Sequence, residues 1–575
     1  MAKSDFLKLR YGYQIVRLYR YGDQRDAAIE AYKRFVEPYK AASPTIYWWA
    51  RSQMAGALRY SGKEAPAAYH FAQVFANCPS MRVEAWYSWR IKSDDIWSEA
   101  VALCENDKER SVLYGLRAID PYAIPAKDMR KLHSLDPGSE LLDLLLVREI
   151  NKLENELLGY PFSSRKAIHE GLSIENEERQ GEIQDRLSAI QAIVSQVITS
   201  GNFHDANLWH LSDAYLHFLD NDISTAKSKL KDFMKRSSEV PVRARLLDLV
   251  FRIAETRRVD ASVENNLLKD FTNLSRDLSE DKATELRKFM DEALGWLYAA
   301  QGQPAKSVLA RRHTSLYESA DILLLNDLLK FEAKERKTLY EKQLLKRLYE
   351  SHSHESLLEI KGTRLLARNL LDEAIKVFKQ IPAAQRASMP SMNVGADPFK
   401  GNTIDLVNCD EYDCTDDRYD KLSLAEALLA LQKKAITEPE KAGEYFHLLG
   451  NAYYNMTYFG PAWRATDYYR SGSSWSSIGE RNEWFQFDIR TFDENVDCSL
   501  AKNYYEKSMK AAKDSELAAL SCFMAAKCEQ NQWYCDGYPE DKYKYQTSFA
   551  TLVRDYRDTE IYDHLIRECF YFNGF

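Results

Sequence analysis

A recurring arrangement of one small residue between large apolar residues, at helical spacing, most constrains what this chain can fold into. Its clearest copy is Glu444–Asn455, which reads EYFHLLGNAYYN and has Gly450 as the small residue. A small residue at such a position lets a second helix approach closely, and its large neighbours fill the space on either side. Ala462 follows where the second helix needs its own small residue. The pattern therefore predicts a pair of packed helices.

Further copies of the pattern run along most of the chain. Clear copies surround Gly62, Gly295 and Gly362, and weaker ones lie near Leu211–Tyr215 and Gly22–Tyr32. Only 22 Gly and 16 Pro occur in 575 residues, which is about half the share found in an average protein. So few chain-breaking residues exclude a turn-rich β-sandwich and a largely disordered chain, and they favour stacked helical repeats.

These residues resemble the tetratricopeptide-repeat (TPR) superfamily in a degenerate form. The resemblance implies an all-α fold, a right-handed superhelix of antiparallel helix pairs (a TPR-like α-solenoid). It also implies a concave face that binds peptide-like partners. The N-terminal stretch AGALRYSGKEAPAAYHFAQVFANCP is similar, in addition, to uncharacterised repeat proteins of the Bacteroidota-type bacterial cell envelope.

Polar stretches and stretches containing Pro and Gly divide the predicted repeats into blocks. We predict N-terminal helical repeats over residues 1–160, middle repeats over 183–382 and C-terminal TPR-like repeats over 422–575. An acidic first insertion, residues 383–421, separates the last two blocks, and a second insertion, residues 471–497, interrupts the C-terminal block. Loops longer than about 12–15 residues are usually functional or disordered. The two insertions are therefore candidates for a functional surface.

Charge is unevenly distributed along the chain. The net charge is −8 and the pI is about 5.9. Residues 1–60 contain 11 Lys and Arg against 5 Asp and Glu, whereas residues 401–575 contain 19 against 30. A nucleic-acid-binding domain normally has a pI above about 9, so we expect no nucleic-acid partner. The apolar stretches are far shorter than the roughly 20 residues that cross a bilayer, so we expect no membrane insertion by this chain.

The sequence leaves the cellular compartment open. Its first residues, MAKSDFLKLRYGYQIVRLYR, lack the apolar core of a signal peptide. The chain is cytoplasmic as written, or periplasmic or exposed at the cell surface if it is a trimmed form of an exported protein.

Recognisable catalytic motifs are missing from the sequence. We find no Walker loop, GxGxxG, HExxH, GxSxG or EF-hand pattern, so we predict a non-catalytic scaffold that binds a protein or peptide. Two alternatives stay open. One is a carbohydrate-binding surface protein. The other is an all-α carbohydrate-active enzyme that uses paired carboxylates, with the acidic residues of the first insertion and Asp488 or Asp493 near Trp484 as candidates.

Aromatic residues supply the candidate contacts with a partner. Trp475, Trp484 and Phe485 fall in the second insertion, where no helix packing requires them, and Tyr453 and Tyr454 lie in the clearest repeat. Tyr and Trp are enriched at binding hot spots because they offer large contact areas with a polar group at one end. Large aromatic side chains also fill the gaps between paired helices, so a core role for the two Tyr stays open.

An acidic cluster in the first insertion is a candidate metal site. Residues 405–420 carry seven carboxylates and one Arg, and Ca²⁺ takes six to eight oxygen ligands from flexible loops of this kind. The candidate ligands are Asp410, Asp413, Asp416 and Asp417. A solvated acidic loop without metal is the alternative, and we expect no other cofactor.

Overall fold

The computed structural model describes residues 3–120, 123, 125–158, 177–237, 240–312, 315–401, 418–470, 495–537 and 539–568. Within these ranges the chain forms helices and connecting turns and no strand, and one isolated bridge pairs Asn393 with Asp420. The prediction of an all-α helical-repeat fold is confirmed. No helix of the described part is both long enough and apolar enough to cross a membrane.

The chain divides into two compact units. The first comprises Met1–Arg257 and Lys269–Ala293, and the second comprises Arg258–Leu268 and Leu294–Phe575. Each unit has its own cluster of buried apolar side chains, one built from helices between Leu9 and Leu116 and the other from helices between Leu358 and Leu565. The predicted middle block, 183–382, contributes to both units, and the predicted repeat boundaries stay a prediction.

The α-helices of the first unit follow one another closely along the chain. They are α1 (Asp5–Tyr21), α2 (Arg25–Phe35), α3 (Pro44–Tyr60), α4 (Glu64–Asn77), α5 (Arg82–Ser88), α6 (Asp94–Ala102), α7 (Asp107–Ile119), α8 (Ala126–Leu135), α9 (Glu140–Leu158), α10 (Glu177–Ser200), α11 (Ala206–Leu219), α12 (Ile223–Arg236) and α13 (Val242–Glu255). Two more helices, α14 (Ala261–Ser275) and α15 (Glu280–Ala300), contribute residues to both units.

The remaining α-helices belong to the second unit. They are α16 (Pro304–Ala310), α17 (Leu316–Ser319), α18 (Ile322–Ala333), α19 (Leu339–Ser351), α20 (His354–Ala367), α21 (Leu371–Phe378), α22 (Ala383–Ser388), α23 (Lys421–Thr437), α24 (Ala442–Asn455), α25 (Ser499–Ala511), α26 (Ser515–Cys535), α27 (Thr547–Asp555) and α28 (Glu560–Glu568). Short 3₁₀ turns lie between them, among them Pro390–Met392 and Trp463–Ala465.

Five helix pairs are joined by the same three-residue turn. In each turn the middle residue has a left-handed backbone with φ between 57° and 78°. In each, the backbone N–H of the third turn residue donates to a carbonyl five residues earlier, which is the hydrogen bond of a Schellman C-cap. Gly, Asn and Asp tolerate positive φ better than other residues. The middle residues are Asp23, Gly62, Asn221, Gly302 and Asn369.

Small residues let these paired helices approach closely, as the sequence pattern predicts. A Cβ atom added to Gly362 on α20 would lie 2.6 Å from ring carbons of Phe378 on α21. At Gly450 on α24, an added Cβ would lie 2.6 Å from ring carbons of Tyr505 on α25. Separations this short are incompatible with ordinary packing, so Gly is required at both positions.

The partner of α24 differs from the expected one. We expected its second helix to follow at once around Ala462, but the chain forms only a 3₁₀ turn there, and α25 packs on α24 after the second insertion. The physical reason is a tight reversal, in which the Ala462 N–H donates back to the Asn455 carbonyl over 2.9 Å. Gly460 permits this close approach, and Pro461 cannot donate a helical hydrogen bond. In the sequence, the second insertion therefore lies between the two helices of this pair.

The first insertion also differs in part from the expected loop. Its first half contains the short helix α22 and the turn Pro390–Met392, and residues 393–401 continue with described structure. Residues 402–417 lie outside the described part of the chain, as do residues 471–494 of the second insertion.

Candidate functional site

The first insertion leaves the helical framework from a turn held by α24. Asn455 Nδ2 donates to the backbone carbonyls of Pro398 and Lys400 over 2.8 and 2.9 Å, and Asn451 Nδ2 donates to the Phe399 carbonyl over 3.2 Å. Both Asn side chains are buried. Because two amides satisfy three successive carbonyls, this turn is fixed to the last turns of α24.

The insertion returns to the framework at the start of α23. Arg418 forms an ion pair with Asp397 at 2.5 Å, and the Asp420 side chain accepts a hydrogen bond from the Ser423 amide as the N-cap of α23. The next residue, Lys421, points into the interior with no exposed surface. Its Nζ donates to Glu359 Oε1 over 2.8 Å and to Thr363 Oγ1 over 2.9 Å.

The second insertion is attached to the same two helices, α20 and α24. On its N-terminal side, the Tyr468 hydroxyl donates to Glu359 Oε2 over 2.9 Å. On its C-terminal side, Asn495 Nδ2 donates to the Met456 carbonyl, the residue that follows α24, over 3.3 Å. The Tyr458 amide donates in turn to the Asn495 carbonyl over 2.8 Å.

The four ends of the two insertions thus converge on α20 and α24. The Glu359 carboxylate accepts from Lys421, at the end of the first insertion, on one oxygen. It accepts from Tyr468, just before the second insertion, on the other. We call this arrangement the insertion platform. Its residues are Glu359, Lys421, Asn451, Asn455, Tyr468 and Asn495.

Charged groups under the insertion platform are buried, and Lys421 and Glu359 form an ion pair there. Glu359 and Lys421 have no exposed surface, and Arg364 is 1% exposed. Burial lowers the pKa of Lys421 below its usual value, and Glu359 opposes that shift. Burial also raises the pKa of Tyr468 well above its usual value, and the neighbouring Glu359 carboxylate raises it further. The hydroxyl therefore stays protonated and continues to donate to that carboxylate.

Lys421 is placed for a structural role rather than for chemistry. A buried lysine with a lowered pKa can act as a nucleophile or base where substrate reaches it. Here the amine is fully covered, it is hydrogen-bonded to Glu359 and Thr363, and it lies 4.5 Å from the centre of the Tyr468 ring. The arrangement can hold three chain segments together, and it offers no approach to a reacting molecule.

A shallow, open depression lies at the foot of the second insertion. The Arg470 guanidinium lies over the rings of Tyr458 and Trp463, at 5.4 and 5.9 Å from their centres. Tyr469 lines the depression and is 52% exposed. In the sequence, this surface is signalled by the adjacent aromatic residues Tyr468 and Tyr469, which could line a groove or fill the core. The structure turns the Tyr468 hydroxyl inward to Glu359 and leaves Tyr469 exposed.

The sequence-predicted aromatic contacts have two outcomes. Tyr453 and Tyr454 are 4% and 1% exposed. The Tyr453 ring stacks on Tyr504 with 5.3 Å between ring centres, and its hydroxyl donates to Asn369. These two Tyr therefore belong to the core and offer almost no surface to a partner. The other predicted site residues lie outside the described residues: Trp475, Trp484, Phe485, Asp410, Asp413, Asp416, Asp417, Asp488 and Asp493.

A pair of buried carboxylates lies elsewhere in the second unit. Glu264 and Glu341 are 1% and 2% exposed, and Lys306 donates to both. Burial by itself would raise the pKa of Glu341, but hydrogen bonds from Lys334, the Thr338 amide and Lys306 hold it below its usual value. A glycosidase acid needs a raised pKa and access to substrate. Glu341 therefore stays ionised at neutral pH, and both carboxylates are covered by protein, so the pair suits a structural role.

A buried chain of hydroxyl groups links three helices of the second unit. Ser508 Oγ donates to the Gly443 carbonyl over 2.7 Å, and Ser521 Oγ donates to Ser508 Oγ over 2.9 Å. His447 Nδ1 lies 2.8 Å from Ser521 Oγ. A carbonyl oxygen only accepts, so the Ser508 proton goes to Gly443 and the Ser521 proton goes to Ser508. Ser521 then has no proton to give to His447, so His447 Nδ1 must donate to Ser521. A catalytic Ser donates to its His instead, so this contact is structural.

The described part of the chain contains no cluster of three or more His, Cys, Asp or Glu arranged to hold a metal. No protein-family model matches this chain, and no curated protein is significantly similar to it in sequence.

Proposed function

We propose that this protein is a non-catalytic scaffold of degenerate TPR-like helix pairs that binds a protein or peptide partner through its two insertions. The observation that carries the proposal is the insertion platform, on which two separate insertions are attached to the same two helices through Glu359, Asn451 and Asn455. Binding residues are commonly placed on loops that a rigid framework positions.

The rigidity of the insertion platform supports this function. Each of its contacts is a hydrogen bond or ion pair with at least one buried partner, and such contacts fix geometry because breaking them leaves a buried polar group unsatisfied. Two insertions held at a fixed separation can present one composite surface. That surface would include the open depression, since Tyr469 and Arg470 adjoin the second insertion. Tyr and Arg are residue types enriched at binding hot spots.

A carbohydrate partner is the second candidate, and the same depression favours it. Aromatic rings beside polar groups suit sugar rings, and Trp463 and Tyr469 adjoin Asp467 and Asn495 there. Calcium bound by residues 405–420 is compatible with both proposals, because a metal ion would offset the repulsion between the carboxylates of this acidic segment.

The test uses the full chain, chemically cross-linked to its neighbours in its native cells and then purified with whatever it captured. A captured protein is prepared separately, and its affinity is measured by calorimetry for wild type, for Tyr469→Ala and for Arg470→Ala. We expect each variant to weaken binding by tenfold or more. Tyr543→Ala is the matched control, because Tyr543 is 80% exposed in the same unit but does not line the depression.

Two results contradict the proposal. If the affinity is unchanged in both variants, the depression is not part of the binding surface. The second result is binding of the intact protein to a glycan array that Tyr469→Ala abolishes and Tyr543→Ala retains. It would mean that the partner is a carbohydrate and not a protein.

A further inference from the structure

Helix α1 carries an apolar and aromatic stripe that no described residue covers. Leu7, Tyr11, Leu18 and Tyr21 occur at intervals of four, seven and three residues, which places them on one face of a helix. Their exposed fractions are 41%, 59%, 71% and 70%. Single exposed apolar residues are ordinary, but four of them on one face of a whole helix mark an interaction surface. We call this row the α1 stripe.

The helix that bears the α1 stripe is firmly fixed. Its opposite face is buried, with Leu9 and Val16 completely covered. At Gly12, an added Cβ would lie 2.9 Å from the carbonyl carbon of Phe35 on α2, so the two helices are in backbone contact. The Ser4 side chain caps the first turn by accepting from the Leu7 amide. The α1 stripe is therefore a preformed surface.

Positive charge lines one edge of the α1 stripe. Arg10 and Arg17 are seven residues apart, so they lie side by side along the helix, and both are exposed. The Arg17 guanidinium lies 5.9 Å from the ring centre of Tyr21, at the end of the stripe.

We propose that the α1 stripe docks an amphipathic helix of a partner protein, with apolar residues every three or four positions and Asp or Glu along one flank. A row about four helical turns long with this spacing fits the apolar side of a second helix. The acidic flank pairs with Arg10 and Arg17, and such complementarity selects among helices of similar hydrophobicity. This second surface lies in the first unit and does not depend on the insertion platform.

Two other occupants fit the α1 stripe less well. A second copy paired antiparallel through α1 would bring Arg10 and Arg17 of both copies to the same edge of the interface, and like charges across an interface oppose association. A lipid surface would have to desolvate Gln14, which is exposed in the middle of the row, between Tyr11 and Leu18. A partner helix can supply a hydrogen bond to that amide, whereas acyl chains cannot.

The test is a selection of phage-displayed helical peptides against the full-length protein. The library fixes Leu at the apolar heptad positions and varies the flanking positions among Glu, Lys, Gln and Ser. Selected peptides are then measured by fluorescence anisotropy against wild type, Leu18→Ser, Arg10→Glu/Arg17→Glu, and the matched control Leu323→Ser. Leu323 is 76% exposed and lies in the second unit.

We expect peptides rich in Glu at one flank, whose affinity falls at least tenfold with Leu18→Ser and is unchanged with Leu323→Ser. The Arg10→Glu/Arg17→Glu protein should prefer Lys-flanked peptides. The proposal is overturned if no selected peptide is sensitive to Leu18→Ser, or if the selected flanks show no acidic excess. Binding to vesicles of anionic lipid that Leu18→Ser abolishes, without peptide binding, assigns the stripe to a membrane surface instead.

Discussion

Removing the positive charge of Lys421 should loosen the insertion platform. Lys421→Met keeps most of the side-chain volume but leaves the fully buried Glu359 carboxylate without its cation. Breaking a buried ion pair in this way costs about 3–5 kcal/mol. We expect the lower end of that range, because Tyr468 and Thr363 still donate to the same carboxylate.

Removing both charges should cost far less than removing one. Glu359→Gln by itself strands Lys421 in the interior, and we expect a loss of about 3 kcal/mol. In Glu359→Gln/Lys421→Met neither residue carries a charge, so we expect a stability within about 1–2 kcal/mol of wild type. The strong non-additivity follows from direct contact between the two side chains.

The assay is native-state hydrogen exchange of the backbone amides of α20 and α23, followed by mass spectrometry. Local protection is the proper readout, because a chain with two compact units has no single unfolding free energy. Lys379→Met is the matched control. Its pair with Glu426 has the same 2.8 Å separation, but Lys379 is 57% exposed, so we expect less than about 0.5 kcal/mol. The reasoning is refuted if Lys421→Met lowers the local unfolding free energy no more than this control does. It is also refuted if the loss in the double variant equals the sum of the losses in the two single variants.

Three further predictions concern packing, pH and the first insertion. Gly362→Ala places a methyl group against the Phe378 ring, so we expect denaturant unfolding of the second unit to show a loss of about 1–3 kcal/mol, and an unchanged midpoint contradicts this. Burial lowers the pKa of His447 from 6.5 to about 4. The unfolded chain therefore binds its proton first as the pH falls, and the second unit loses about 2 kcal/mol between pH 7.5 and 5; a His447→Gln variant with an equally steep pH dependence opposes this assignment. Asn455→Ala frees two carbonyls, so limited proteolysis within residues 398–401 should accelerate, while equal cleavage rates count against the turn being held by α24.

The helix pairs could be predicted because their signals are local. A small residue between large ones at helical spacing marks Gly362 and Gly450, and the structure places an aromatic ring against each. The connecting turns are equally local, since Gly62 and Asn369 are residue types that adopt positive φ. Such features depend on residues within a few positions, so periodicity in one sequence reveals them.

The insertion platform could not be predicted because its contacts are distant in sequence. Lys421 and Glu359 are 62 residues apart, and Asn455 reaches Pro398 across 57. A charged residue at a helix start normally indicates solvent exposure, and only the tertiary fold shows that Lys421 is buried. The same limit explains Tyr453 and Tyr454, because core and surface aromatic residues share one helical spacing. Composition therefore cannot distinguish a binding Tyr from a packing Tyr.

The joint action of the two insertions is tested most directly by a cycle of deletions. Residues 402–417 and 471–494 are replaced by short Gly-Ser linkers, singly and together, and the affinity for the identified partner is measured by calorimetry. If both insertions form one surface on the insertion platform, each single replacement should remove most of the binding free energy, and the double replacement should cost little more. Full binding by the double-replacement protein would contradict this claim, and two independent, additive losses would show two separate sites.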